Sequence, residues 1–262
     1  MTKVCLIGDS HLGALKGGIE ENNISEQGFE MTYFSLHTRH FPALRLRGRR
    51  IEGEADELRR ELAMFSGGRD SIAIDDFDEF VIVGHGIYIG YLVDLYRDYC
   101  CDHMPGPARG RYLLSDSCFI TTSQHILERS EAIGIGKMIR SITRKPITYV
   151  AAPNPGAGLA ESEMPEVFPP FYPAVEFGDA EAVALLFREV CAALATAHDA
   201  RVIAPIEDAA ENGLFNRHEF CLLAERDTEG APLSDRIGAM LHGNSRYGAM
   251  LARAVLDRGE SP

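Results

Sequence analysis

Five short apolar, β-rich runs, at residues 4–7, 29–36, 80–83, 147–151 and 201–204, are set far apart along the chain, and each gap is long enough to hold a helix. Parallel neighbours need such crossovers, and continuous apolar strands need cover on both faces. The fold class expected is therefore α/β, with five parallel strands. Helical periodicity is clearest after Ser10 (Leu12, Leu15, Ile19), over 51–65, over 180–197 and over 245–256. The stretches 105–107 and 153–173 read as loops around one end of the sheet, the second stiffened by six prolines.

One domain spanning 1–262 accommodates this pattern, and 45% hydrophobic with 25% charged residues is an ordinary globular composition. The balance of 26 Lys+Arg against 39 Asp+Glu leaves a net charge of −13, which repels nucleic-acid phosphates and anionic lipid. Nucleic acid is not an expected partner. Residues 80–93 lack Asp, Glu, Lys and Arg but fall short of the ~20 residues of a bilayer span, so no membrane span is expected. The N-terminus has no signal-peptide core, and six cysteines without a CxxC pair read as reduced thiols, which together point to the cytoplasm. There is no Trp, the best sugar-stacking side chain, although nine Tyr and thirteen Phe can stack as well.

Chemistry concentrates at the two ends of the chain. The first strand runs through Gly8-Asp9-Ser10-His11 into a helix. In a parallel sheet that corner faces the ligand crevice, and amides at a helix start can hold a developing oxyanion. The alternative is that Ser10 caps the helix while Asp9 makes a turn. Near the C-terminus, His242-Gly243-Asn244 precedes the last amphipathic helix, and a histidine there can be brought back over the strand ends to serve as base for a serine nucleophile.

The Gly8-Asp9-Ser10-His11 opening, joined to the late His242-Gly243-Asn244-x-x-Tyr247-Gly248, resembles the SGNH/GDSL hydrolase superfamily, closest to bacterial members whose first block reads GDSH. The resemblance implies a flavodoxin-like three-layer α/β/α sandwich, a nucleophile at Ser10, a base at His242 and hydrolysis of esters, often acetyl groups on carbohydrates. The chain departs from the family at three points. Ala239 stands where the acid three residues before the histidine belongs, leaving Asp235 as the nearest upstream carboxylate; either Asp235 reaches round or the pair works without an acid. Gly84-His85-Gly86 replaces the block whose asparagine donates to the oxyanion, so a donor there has to be the His85 ring or the amides of Gly84 and Gly86. No glycine donor is evident after the second strand.

Asn154 lies after the fourth strand, as a pocket residue or as a turn between two prolines. Arg39, Arg45, Arg47, Arg49 and Arg50 form a basic patch that either faces an anionic substrate group or pairs with Glu52, Glu54, Asp56 and Glu57. No zinc-ligand spacing appears, and no cofactor or metal is called for. The leading expectation is a serine esterase acting on a small-molecule or glycan ester. Its rivals are a degenerate member that binds a carbohydrate or other ligand without turnover, and a nucleotide or flavin binder, which the acid in Gly8-Asp9-Ser10 disfavours.

Overall fold

The computed structural model describes residues 1–22, 24, 28–108, 110–157, 171–225 and 232–257. Its centre is a five-stranded all-parallel sheet of β1 (Thr2–Gly8), β2 (Phe29–Ser35), β3 (Glu79–Val83), β4 (Ile147–Val150) and β5 (Arg201–Ile203), in the order β2-β1-β3-β4-β5. This is the flavodoxin-like order of a doubly wound sheet. Around it lie α1 (His11–Glu21), α2 (Asp56–Phe65), α3 (Gly90–Asp98), α4 (Asp116–Leu127), α5 (Glu131–Arg140), α6 (Phe171–Glu176), α7 (Ala180–His198), α8 (Leu233–Leu241) and α9 (Ser245–Leu256).

Side chains alternate across a strand, and here both sets are apolar. Val4, Leu6, Val81 and Val83 join Leu12, Leu15 and Ile19 of α1 and Leu251 and Ala252 of α9 in one buried layer. Cys5, Ile7, Phe80 and Ile82 join Leu62 of α2, Leu92 of α3, Phe119 of α4, Ile139 of α5 and Phe187 of α7 in the other. These two layers make the three-layer α/β/α sandwich.

Two glycines set how closely the first and last helices approach. A Cβ on Gly18 would stand 2.1 Å from the carbonyl carbon of Gly248, and one on Gly248 would stand 1.7 Å from the carbonyl oxygen of Ala14. Backbone thus packs directly on backbone where α1 crosses α9, and the N-terminal ends of both helices are drawn to the same edge of the sheet. Register places that edge: Ser35, Gly8, Val83, Val150 and Ile203 form one row across the five strands, so the segments that follow them emerge together.

Some local expectations are corrected. The helix expected over 51–65 begins only at Asp56, because Arg50–Gly53 alternates in burial and pairs as a strand with Leu44–Arg47 and Ser71–Ala73 in an antiparallel sheet. Gly48, at φ 59°, makes the two-residue hairpin turn between Arg47 and Arg50. Within the stretch read as loop, Phe171–Glu176 is helical, with Pro173 in its first turn, where a missing N–H costs nothing. Pro165, Pro169 and Pro170 lie outside the described residues. No helix among the described residues is long and apolar enough to cross a membrane.

Candidate functional site

Ser10 and His242, 232 positions apart in sequence, meet at the carboxyl edge of the sheet with Ser10 Oγ 2.6 Å from His242 Nε2. Ser10 stands at the cap position just before α1, yet its side chain makes no capping hydrogen bond, so the hydroxyl is committed to the imidazole rather than to the helix. It is exposed to solvent.

His242 ends α8 and leads into α9. Its Nδ1 lies 2.5 Å from the carbonyl oxygen of Gly238, one helical turn back. A carbonyl can only accept, so Nδ1 carries the hydrogen and Nε2 presents its lone pair to the Ser10 hydroxyl. The hydrogen-bond partner behind the imidazole is therefore main chain rather than carboxylate. Asp235 is exposed in the first turn of α8, and Ala239 is buried at 2% exposure. The segment before α9 is held by strand-like bonds on either side of Gly243: Leu222 N donates to His242 O at 2.8 Å and Asn244 N to Phe220 O at 3.0 Å. Gly243 leaves room for the Tyr247 ring, against which a Cβ would stand 2.6 Å away. Asn244 is a buried helix cap: its Oδ1 accepts from the amides of Arg246 and Tyr247, and its Nδ2 donates to Glu219 O.

Beneath the pair lies Asp9, 6% exposed, whose Oδ1 accepts the His11 amide at 3.0 Å. The corner has little room: a Cβ at Gly84 would stand 2.8 Å from Asp9 Oδ1 and 2.9 Å from His11 Cδ2. Gly84, His85 and Gly86 follow β3 in three successive left-handed conformations, at φ 78°, 54° and 89°. For His85 this is an uncommon state, and it turns the ring inward, 3.6 Å from the Phe41 ring centroid and with Nδ1 3.5 Å from Asp9 Oδ2. The His85 side chain is fully enclosed. Burial drives its pKa down to about 4 against the opposing pull of Asp9, so the ring is neutral at pH 7.

These positions separate the expected oxyanion donors. The His85 ring does not reach the surface that bears Ser10 Oγ, and the Gly84 amide is bonded to Val150 O. At the start of α1, the amides of His11, Leu12 and Gly13 are taken up by Asp9 Oδ1, Asp9 O and Ser10 O. The Ser10 amide has no protein partner among the described residues.

His11, expected only as part of the opening block, packs its ring against that of His242: the two ring centroids are 4.7 Å apart with planes inclined by 30°. Neither residue type nor spacing signals this stack. Asn154 sits elsewhere on the same edge, 3% exposed, donating from Nδ2 to Gly213 O. It borders a cavity of about 730 Å³ that also touches Glu181, Arg188 and Pro205 but neither Ser10 nor His242. The basic patch is internally paired on the antiparallel sheet, through Arg45–Glu54 at 2.7 Å, Arg47–Glu52 at 3.4 Å and a two-pronged Arg49–Asp75 contact, while Arg39 donates to His40. Among the described residues, no group of three or more His, Cys, Asp or Glu side chains is arranged to hold a metal ion. No family model, curated protein or solved structure matches the chain.

Proposed function

We propose that the protein is a serine esterase of the SGNH/GDSL type that removes an acyl group, such as acetyl, from a carbohydrate or other small ester. The observation that carries this reading is the 2.6 Å contact between an exposed Ser10 hydroxyl with no capping role and the Nε2 of an imidazole whose other nitrogen holds the hydrogen.

In this mechanism Ser10 Oγ attacks the acyl carbon as Nε2 of His242 takes its proton. The carbonyl oxygen becomes an oxyanion, for which the Ser10 amide, carried by the nucleophile itself, is a donor outside the bonds made at the start of α1. Collapse of the tetrahedral intermediate expels the alcohol, which receives the proton back from His242. Water then attacks the acyl-serine with His242 again as base, releasing the acid and restoring the hydroxyl. The imidazolium formed on the way rests against the Gly238 carbonyl and the C-terminal end of α8, where unsatisfied carbonyls favour a cation by roughly 0.3–2 kcal/mol. This supplies part of what a carboxylate would.

One observation favours the second reading, a protein of this fold that binds an ester or carbohydrate without turnover: the orienting group behind His242 is a neutral carbonyl. Hydrolysis of p-nitrophenyl acetate separates the two. The esterase reading expects turnover that Ser10→Ala and His242→Ala each abolish with little change in melting temperature, because residues acting as one unit fail together. Equal rates in wild type and either variant refute it.

A further inference from the structure

The His242 ring swings about its Cβ–Cγ bond, and of its two hydrogen bonds the one to Ser10 is given up each time the hydroxyl loses its proton, which leaves the Nδ1 bond to Gly238 O. A contact against the ring itself restrains that swing throughout. We infer that His11 is a positioning residue whose ring, stacked on His242, locks the imidazole in the plane that aims Nε2 at Ser10; the inference rests on the esterase reading for its catalytic consequence.

The stack is suited to this role because His11 is itself immobilised. Its amide is bonded to Asp9 Oδ1 at 3.0 Å, its Cδ2 lies against the backbone of Gly84, and its Nδ1 is enclosed without a hydrogen-bond partner. So held, the ring meets that of His242 with centroids 4.7 Å apart and planes inclined by 30°. The ionisable groups around it are Asp9 from the β1–α1 turn, His85 from the loop after β3, and His242 from the end of α8. Burial lowers the His11 pKa, Asp9 opposes this, and His242 adds to it. A neutral aromatic face beside His242 tolerates the imidazolium that catalysis creates, whereas a charged His11 would repel it.

The test combines two readouts on ¹⁵N-histidine-labelled protein at pH 7.5. In wild type, His242 should show a single tautomer with the hydrogen on Nδ1. His11→Ala should give averaged tautomers and a kcat about 10- to 100-fold lower, as expected of a misaimed catalytic group. KM should stay within about twofold, because ground-state binding is not what is lost. His11→Phe keeps an aromatic face and should restore both the single tautomer and a kcat within about threefold of wild type. A His11→Ala protein with one tautomer and wild-type kcat overturns the inference. So does a folded His11→Phe protein that behaves like His11→Ala. If wild type shows no turnover while its tautomer depends on residue 11 in this way, the esterase reading fails and the positioning role stands.

Discussion

His242 donates from Nδ1 to the carbonyl oxygen of Gly238, 2.5 Å away on the helix that His242 itself terminates. The imidazole is thus held by the backbone of its own chain segment, and substitution of the nearby carboxylate positions should act accordingly. Asp235→Asn should leave the esterase rate within about twofold of wild type, since the Nδ1 hydrogen is already given to Gly238. Ala239→Asp should not raise the rate. Ala239 is 2% exposed, so a carboxylate there is buried and costs stability, read as a lower melting temperature. A rate gain in Ala239→Asp, or a large loss in Asp235→Asn, contradicts this account of the orienting group.

The α1–α9 crossing brings Ser10 and His242 together, so it should be sensitive to one methyl group. Gly248→Ala places a Cβ where the Ala14 carbonyl now stands and should destabilise the protein by about 1–3 kcal/mol or more. Activity should fall as well, because separating the helices displaces His242 from Ser10. Gly134→Ala, in α5 with nothing within 4 Å of the new Cβ, serves as the control and should stabilise by about 0.5–1 kcal/mol. Denaturant titration of the two variants checks both signs.

The buried His85 should make the fold acid-sensitive. Its folded-state pKa of about 4 lies below the 6.5 of a free imidazole, so between these values the unfolded chain binds a proton that the folded chain refuses. Stability should therefore fall as pH drops from 6.5 towards 4, by on the order of 3 kcal/mol in total from this residue at ~1.4 kcal/mol per unit. His85→Asn, which tolerates the left-handed backbone at φ 54°, should flatten that slope. Chemical denaturation at a series of pH values checks it; an unchanged slope in the variant contradicts the assignment.

A buried ion pair ties the loop before α4 to the start of α7. Arg111 Nη2 lies 3.2 Å from Asp179 Oδ2, with the two side chains 5% and 0% exposed, and Asp179 also accepts from Tyr96 Oη and the Gly106 amide. Asp179→Asn removes the counter-charge and leaves the guanidinium buried, so it should cost about 3–5 kcal/mol. Thermal melts of this variant beside wild type measure the loss.

How much the sequence revealed follows from where each signal resides. The five strands were legible because a strand buried on both faces is apolar at nearly every position, as Phe80 to Val83 shows. Ser10 and His242 were legible because each stands at the boundary of an amphipathic helix. The Gly238 carbonyl was not, because a backbone acceptor leaves no mark in residue type. The inward turn of His85 and the stack of His11 on His242 depend on contacts between segments far apart in sequence, which periodicity does not report. The helix expected over 51–65 starts five residues later, at Asp56, because four residues of alternation in Arg50–Gly53 are too few to outweigh the helical pattern that follows.

If Ser10 is a nucleophile activated by His242, it should be labelled by a fluorophosphonate probe, and peptide mass mapping reads this out. One covalent adduct is expected, on Ser10, formed by wild type and absent from Ser10→Ala and His242→Ala. A folded wild-type protein that takes up no label, or carries it on another residue, would contradict it.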